Sequence, residues 1–178
     1  IAGTANSSSA HASAANARSG SFHAMASPST GSYSLRSFTA TLSGAFPNTI
    51  DHFEVGSATN TGTLVLQSTA VLNVTNTTSS TVGSSTGVAS LTLKDSAQLN
   101  FGAGTVTNLA PLVADRAVLT VQDSAVANLG RMRIGREGSA AVYQTGGTIK
   151  TINTTTPSGW YFGVNTLASY GYYRISGG

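Results

Sequence analysis

Apolar and polar residues alternate along three similar stretches in the middle of the chain. The stretches begin at Leu64, Leu91 and Leu119, so successive copies start 27 and 28 residues apart. Every second residue is apolar, which is the spacing of a β-strand with one buried face. The apolar positions are Leu64, Leu66, Ala70, Leu72 and Val74, then Leu91, Leu93, Ala97, Leu99 and Phe101, then Leu119, Val121, Ala125, Ala127 and Leu129. This pattern predicts short strands and no amphipathic helix.

A polar segment interrupts the alternation in each copy. The three segments are Gln67-Ser68-Thr69, Lys94-Asp95-Ser96 and Gln122-Asp123-Ser124. Short Ser and Asp side chains form hydrogen bonds with nearby backbone and tolerate turn geometry. We therefore predict that each copy consists of two short strands around a bend.

A repeat of this length is typical of a solenoid, in which each unit buries its apolar face against its neighbours. We predict an all-β protein, a parallel β-helix of about four to five coils. Asn73, Asn100 and Asn128 occupy the same place in the three copies. Stacked coils would bring these side chains into one column, so the sequence predicts a ladder of amides.

The last third of the chain keeps this organisation with different residues. Met132-Arg133-Ile134-Gly135 returns 28 residues later as Trp160-Tyr161-Phe162-Gly163, and Val142–Gly147 is echoed at a distance of 31 by Tyr173–Gly178. The additional residues between these copies predict a loop at residues 153–159.

The segment from Ile134 to Ile149 resembles the "IG…G…GGT" repeat of bacterial autotransporter-type passenger domains and related surface-anchored β-solenoid proteins. The resemblance covers roughly residues 60–178. It implies the solenoid fold and an extracellular or cell-surface location. It is nearly silent about activity, since such passengers include adhesins, matrix proteins and enzymes. The chain departs from the pattern because it contains no autotransporter barrel and stops at Gly177-Gly178, where such a repeat normally continues.

Residues 1–45 differ in composition, with Ala and Ser dominating. We divide the chain into this N-terminal segment and a solenoid domain of residues 46–178, which Phe53 and Val55 would open. Low complexity is typical of a linker. Tyr33 and Leu35, and after a shift Phe38 and Leu42, give alternating apolar positions, however. The segment could therefore instead form one or two strands that cap the stack or exchange with a neighbouring subunit.

Composition narrows the possible functions. Hydrophobic residues make up 40% of the chain, which favours a folded protein. Only 8% of residues are charged, so little like-charge repulsion opposes packing against copies of the chain or against sugars. The net charge of +3 is small and scattered and does not favour nucleic acid. Cysteine is absent, and no apolar run is long enough to predict membrane insertion.

Candidate metal ligands are few. Asp95 and Asp123 occupy equivalent bends and could hold Ca²⁺ between coils with Asp115 nearby, but a role as turn residues is the favoured interpretation. His11, His23 and His52 lack the spacing of metal ligands. We therefore predict no metal, cofactor or catalytic site.

One cluster of side chains is a candidate contact surface. Arg131, Arg133 and Arg136 alternate with apolar residues and should share an outer face. Tyr161 replaces Arg133 one coil later, where a cation–π contact is plausible. The aromatic members are Trp160, Tyr161, Tyr170, Tyr172 and Tyr173. An uncapped last coil indicates either that the chain is cut from a longer solenoid or that another subunit covers its end. Core filling and contact between subunits are therefore favoured over glycan recognition.

We predict from these features a structural subunit that stacks end to end into a surface filament, sheath or matrix. Its partners would be copies of itself, with glycans or other surface proteins as further partners. The first alternative is an adhesin-like module that binds glycans or host surfaces through Tyr161 and its neighbours. The second is a carbohydrate-active β-helix enzyme, which would need converging carboxylates. The acidic residues are Asp51, Glu54, Asp95, Asp115, Asp123 and Glu137, and only Asp95 and Asp123 have a sequence reason to be close.

Overall fold

A computed structural model of the chain describes residues 20–21, 33–35, 39–43, 47–56, 61–75, 79–84, 86–102, 112–151, 159–163 and 166–178. Their regular elements are all β-strands. In chain order these are β1 Gly20–Ser21, β2 Tyr33–Leu35, β3 Thr39–Ser43, β4 Pro47–Ile50, β5 Phe53–Val55, β6 Thr61–Gln67, β7 Val71–Val74, β8 Thr81–Val82, β9 Val88–Leu93, β10 Gln98–Phe101, β11 Leu112–Ala114, β12 Ala117–Val121, β13 Val126–Leu129, β14 Met132–Ile134, β15 Ser139–Gln144, β16 Thr148–Thr151, β17 Trp160–Phe162 and β18 Tyr170–Ile175.

The strands form three parallel sheets along a coiled chain. Sheet A has the order β1-β3-β6-β9-β12-β15-β18, sheet B the order β2-β5-β8-β11-β14-β17, and sheet C the order β4-β7-β10-β13-β16. Each coil passes through sheet B, then A, then C. The five strands of sheet C span four complete turns. The predicted fold, an all-β parallel solenoid, is confirmed.

Each coil contains three strands, whereas the sequence predicted two. The bend and its flanking strands are confirmed, but the strands of sheet B between successive copies were missed in the regular repeats. They are short, with two residues in β8 and three in β11. Such short strands cannot display an alternating pattern, so only pairing with neighbouring coils identifies them.

The core is a set of stacked apolar columns. Leu64, Leu91 and Leu119 are in register across β6, β9 and β12. They are 4%, 0% and 1% exposed. The intervening outward residues are partly or fully exposed. Inward and outward faces therefore follow the alternation in the sequence.

The bends between sheets A and C also stack. Ser68, Asp95 and Asp123 adopt φ values of 57°, 58° and 57°. The Ser68 amide donates to Oδ2 of Asp95 at 2.7 Å, and the Asp95 amide donates to Oδ2 of Asp123 at 3.0 Å. Each carboxylate therefore satisfies the backbone of the bend in the preceding coil, which is the turn role that the sequence favoured.

The turns that connect sheet B to sheet A form a second stack, and each described turn contains a residue with positive φ. Gly56, Gly83, Gly135 and Gly163 follow β5, β8, β14 and β17, with φ between 59° and 76°. Glycine tolerates this conformation because it has no Cβ. The coil that contains β11 departs from the rule, because Asp115 occupies the glycine position and Arg116 takes the positive φ, at 46°.

The stack includes strands that precede residue 46. Strand β2 pairs with β5, and β3 pairs with β6, both in parallel. The short strand β1 pairs with β3. The described parts of residues 1–45 thus extend the sheets within their own chain. The paired strands begin before residue 46, where the domain boundary was expected, and before Phe53 and Val55, which were expected to open the solenoid. The expected loop at residues 153–159 lies outside the described residues except for Gly159.

Candidate functional site

Asn73, Asn100 and Asn128 lie in one column on the outer side of sheet C. Strands β7, β10 and β13 hold them in register. Nδ2 of Asn100 donates to Oδ1 of Asn73 at 3.0 Å, and Nδ2 of Asn128 donates to Oδ1 of Asn100 at 2.7 Å. Thr49 and Lys150 occupy the neighbouring positions of the column. The amides therefore cross-link three successive coils.

We expect Asn100→Ala to lower the free energy of unfolding by about 1–2 kcal/mol, because it removes both amide hydrogen bonds of a half-buried column. Urea unfolding measures the change. Thr92→Ala, at a half-buried outward position of sheet A in the same coil, is the control and should stay within about 0.5 kcal/mol. Equal effects of the two substitutions would mean that the ladder adds nothing to stability.

The last coil exposes residues that occupy core columns. Phe162 pairs with Ile134, and Ile175 pairs with Gln144, which itself pairs with Val121. Ile134 and Val121 are 0% exposed, whereas Phe162 is 46% and Ile175 63% exposed. We call Trp160, Phe162, Tyr173 and Ile175 the end face. Its residues are large and apolar or aromatic, and they occupy positions that are buried in earlier coils.

Trp160 and Tyr173 form the half-buried part of the end face. Their rings meet edge to face, with centroids 5.1 Å apart. The Tyr173 hydroxyl donates to Oε1 of Gln144, and burial raises the pKa of the Tyr173 phenol. Nε1 of Trp160 is buried and has no hydrogen-bond acceptor within the described parts of the chain. These two aromatic residues pack against the core.

The strand edges around the end face are also open. Strands β16, β17 and β18 each stand last in their sheets. Within the described ranges, nothing pairs with their outer edges. Unpaired parallel edges next to an apolar face are templates for further strands.

The arginines of the predicted cluster are half-buried around β14. Met132 and Ile134 are fully buried, while Arg131, Arg133 and Arg136 are partly exposed. Nη2 of Arg136 lies 2.8 Å from Oε1 of Glu137, and a pair this exposed contributes little to stability. Arg133 is in register with Tyr161, as the spacing predicted. The cation–π contact between these two side chains remains a prediction.

The aromatic residues that were predicted as one group lie on three surfaces. Trp160 and Tyr173 belong to the end face, and Tyr161 lies on the outer side of sheet B. Tyr170 and Tyr172 lie on the outer side of sheet A, where they are 60% and 38% exposed. Sequence proximity therefore did not mean a shared surface, because alternate residues of a strand point to opposite sides.

Tyr143 joins Tyr172 on the outer side of sheet A, with ring centroids 6.0 Å apart. Tyr143 was not among the contact residues predicted from the sequence. The sequence indicates only that Tyr143 faces outward from β15. The residues next to it are set by the pairing of β15 with β18. Beside these rings lies an open groove of about 490 Å³.

Asp95 and Asp123 meet in successive bends, as the sequence predicted, and the other described acidic residues lie elsewhere in the coils. Asp115 is 5% exposed, and its Oδ1 accepts a hydrogen bond from the Glu137 amide at 2.7 Å. Nδ1 of His52 lies 2.9 Å from Oδ2 of Asp51, and His11 and His23 lie outside the described residues. Among the residues that the structure describes, no three His, Asp or Glu side chains come together as a metal site. That same part of the chain contains no helix able to span a membrane.

Comparison of the chain with protein-family models, with curated proteins and with solved structures gave no match.

Proposed function

We propose that this chain is an extracellular structural subunit that joins copies of itself end to end in a surface filament, sheath or matrix. The observation that carries the proposal is the apolar end face. Phe162 is 46% exposed although Ile134, its partner in the preceding coil, is fully buried. Covering such a face removes apolar surface from water, which is favourable by roughly 25 cal/mol per Å².

The parallel sheets favour a head-to-tail contact. The strands of each sheet run parallel, so a second copy added head to tail at β18 would continue the same strand direction. A contact of this kind that does not close into a ring produces a filament.

Charge and sequence resemblance support the remaining parts of the proposal. Only 8% of residues are charged, so neighbouring copies repel each other little. The extracellular location rests on the resemblance of residues 134–149 to surface passenger repeats.

Placing a charge on the end face tests the proposal. We expect the natural chain to form regular filaments as its concentration rises, observed by sedimentation velocity and negative-stain electron microscopy. Ile175→Asp should remain monomeric, because a carboxylate would have to be buried without a partner. Val88→Asp is the matched control, since Val88 is 46% exposed but lies on the side of the stack. It should still form filaments.

Circular dichroism of both variants shows whether the strands are retained. Three results would contradict the proposal: a natural chain that stays monomeric at all concentrations, a closed dimer, or equal loss of assembly in the two variants.

A further inference from the structure

The groove on the outer side of sheet A has a floor of small residues and an aromatic wall. Val118, Ser139 and Ala141 line the floor, and Tyr143, Tyr170 and Tyr172 stand at the side of the last coil. The space beside these residues is about 490 Å³ and open to solvent. It is shallow and open rather than enclosed.

The aromatic wall forms where two columns of outward-facing residues change from small side chains to tyrosine. One column runs through Ser90, Val118 and Ala141 and ends in Tyr172. In the other, Thr120 is followed by Tyr143 and then by Arg174. These positions face away from the core, so packing of the solenoid does not require large rings there. Tyr170, paired with Ser139, is 60% exposed.

Arg116 borders the same groove, in the one described turn between sheets B and A that lacks the glycine of the other coils. Asp115 replaces the glycine found in the equivalent turns of neighbouring coils, and Arg116 holds a φ of 46°. Positive φ is unfavourable for a residue with a side chain and is retained where other interactions compensate. A Cβ added to Gly138 would lie 2.9 Å from Cγ of Arg116, so the glycine leaves room for the arginine stem.

In the described structure, the charged residue that lines the groove is positive and none is negative. Arg116 is the only charged residue among those that line it in the described structure, and no carboxylate does so. A guanidinium group presents a planar fork of donors that matches a carboxylate. The groove therefore favours a ligand that carries negative charge.

We propose that this groove binds an extended acidic oligosaccharide. The C–H faces of its sugar rings pack on the tyrosine rings, whose π faces are electron-rich, and the tyrosine hydroxyls form hydrogen bonds with its hydroxyl groups. A uronate carboxylate pairs with Arg116. Tyr170 and Tyr172 are two residues apart on one strand, so their side chains are spaced by about 7 Å and both lie within the length of two sugar units.

A second copy of the chain fits the groove less well than an acidic sugar. The chain contains six acidic residues. Asp115 is buried, and the carboxylates of Asp95 and Asp123 already accept hydrogen bonds from backbone amides. A copy of the chain therefore has few free carboxylates to offer Arg116.

Titration calorimetry with two matched hexasaccharides tests the proposal. We expect the hexamer of β-linked mannuronic acid to bind, and the neutral hexamer of β-linked mannose to bind at least about tenfold more weakly, because it lacks the carboxylates. Binding should weaken as salt is added. Arg116→Gln and Tyr170→Ala should each reduce affinity for the acidic hexamer about tenfold.

Two variants outside the groove serve as controls. Lys150→Gln removes an exposed positive charge from sheet C, and Tyr161→Ala removes a ring from the outer side of sheet B. Both should bind the acidic hexamer as the natural chain does. Absence of binding, equal binding of the neutral hexamer, or equal losses in the control variants would overturn the proposal. Circular dichroism verifies the fold of each variant.

Discussion

Leu91→Ala should lower the free energy of unfolding by about 2–5 kcal/mol. Leu91 is fully buried and stacks between Leu64 and Leu119. Removing its isobutyl group loses apolar burial and leaves a cavity. The backbones above and below are held by strand pairing on both sides, so they cannot move in to fill the space. We therefore expect a value in the upper half of this range.

Urea unfolding of the monomeric chain measures this change. Val88→Ala is the matched control because Val88 lies on the same strand and is 46% exposed. It should change stability by no more than about 0.5 kcal/mol. A similar small effect at Leu91 would show that this column is not a packed core.

Gly83→Ala should destabilise the solenoid by more than about 3 kcal/mol, because two unfavourable effects add. Gly83 has a φ of 76°, a conformation that costs a residue with a Cβ about 1–2 kcal/mol. The new methyl group would also collide with the carbonyl oxygen of Asp115 in the next coil. Relief of this collision requires the two coils to separate, which strains the hydrogen bond from the Asp115 amide to Val82.

Gly159→Ala separates the two effects. Gly159 also has a positive φ, 149°, but a Cβ there would meet no atom of the described residues within 4 Å. Its substitution should show the cost of a positive φ without a collision, so Gly83→Ala should lose more stability than Gly159→Ala. Thermal unfolding of both variants provides the comparison. Equal losses would mean that the coils near Gly83 are not closely stacked.

The sequence predicted those parts of the fold that recur at a constant spacing. Leu64, Leu91 and Leu119 share one phase of the alternation, and the Asn73, Asn100 and Asn128 column follows from the same phase. The bends at Asp95 and Asp123 were also predicted, because turn chemistry is local. In each case the information lies within one copy and is repeated in the next.

The short strands β8 and β11 of sheet B and the outer groove escaped prediction for a different reason. Strand β8 has only two residues, so its place depends on pairing with β5 and β11. Tyr143 and Arg116 line the same groove only because particular coils pair with each other across connections of unequal length. The aromatic residues near the end were grouped by sequence proximity, whereas Tyr172 and Tyr173 lie on opposite sides of one strand.

The sequence by itself determined the strand period, the buried face, the bends and the in-register ladder, since alternation of side chains is a property of the extended backbone. Tertiary structure alone decided that each coil has three sides, that Phe162 and Ile175 form an exposed slice of core, and that the tyrosines and Arg116 flank one groove. These features depend on which coil lies next to which. That order is set by hydrogen bonding between strands distant in the chain, and no local pattern records it.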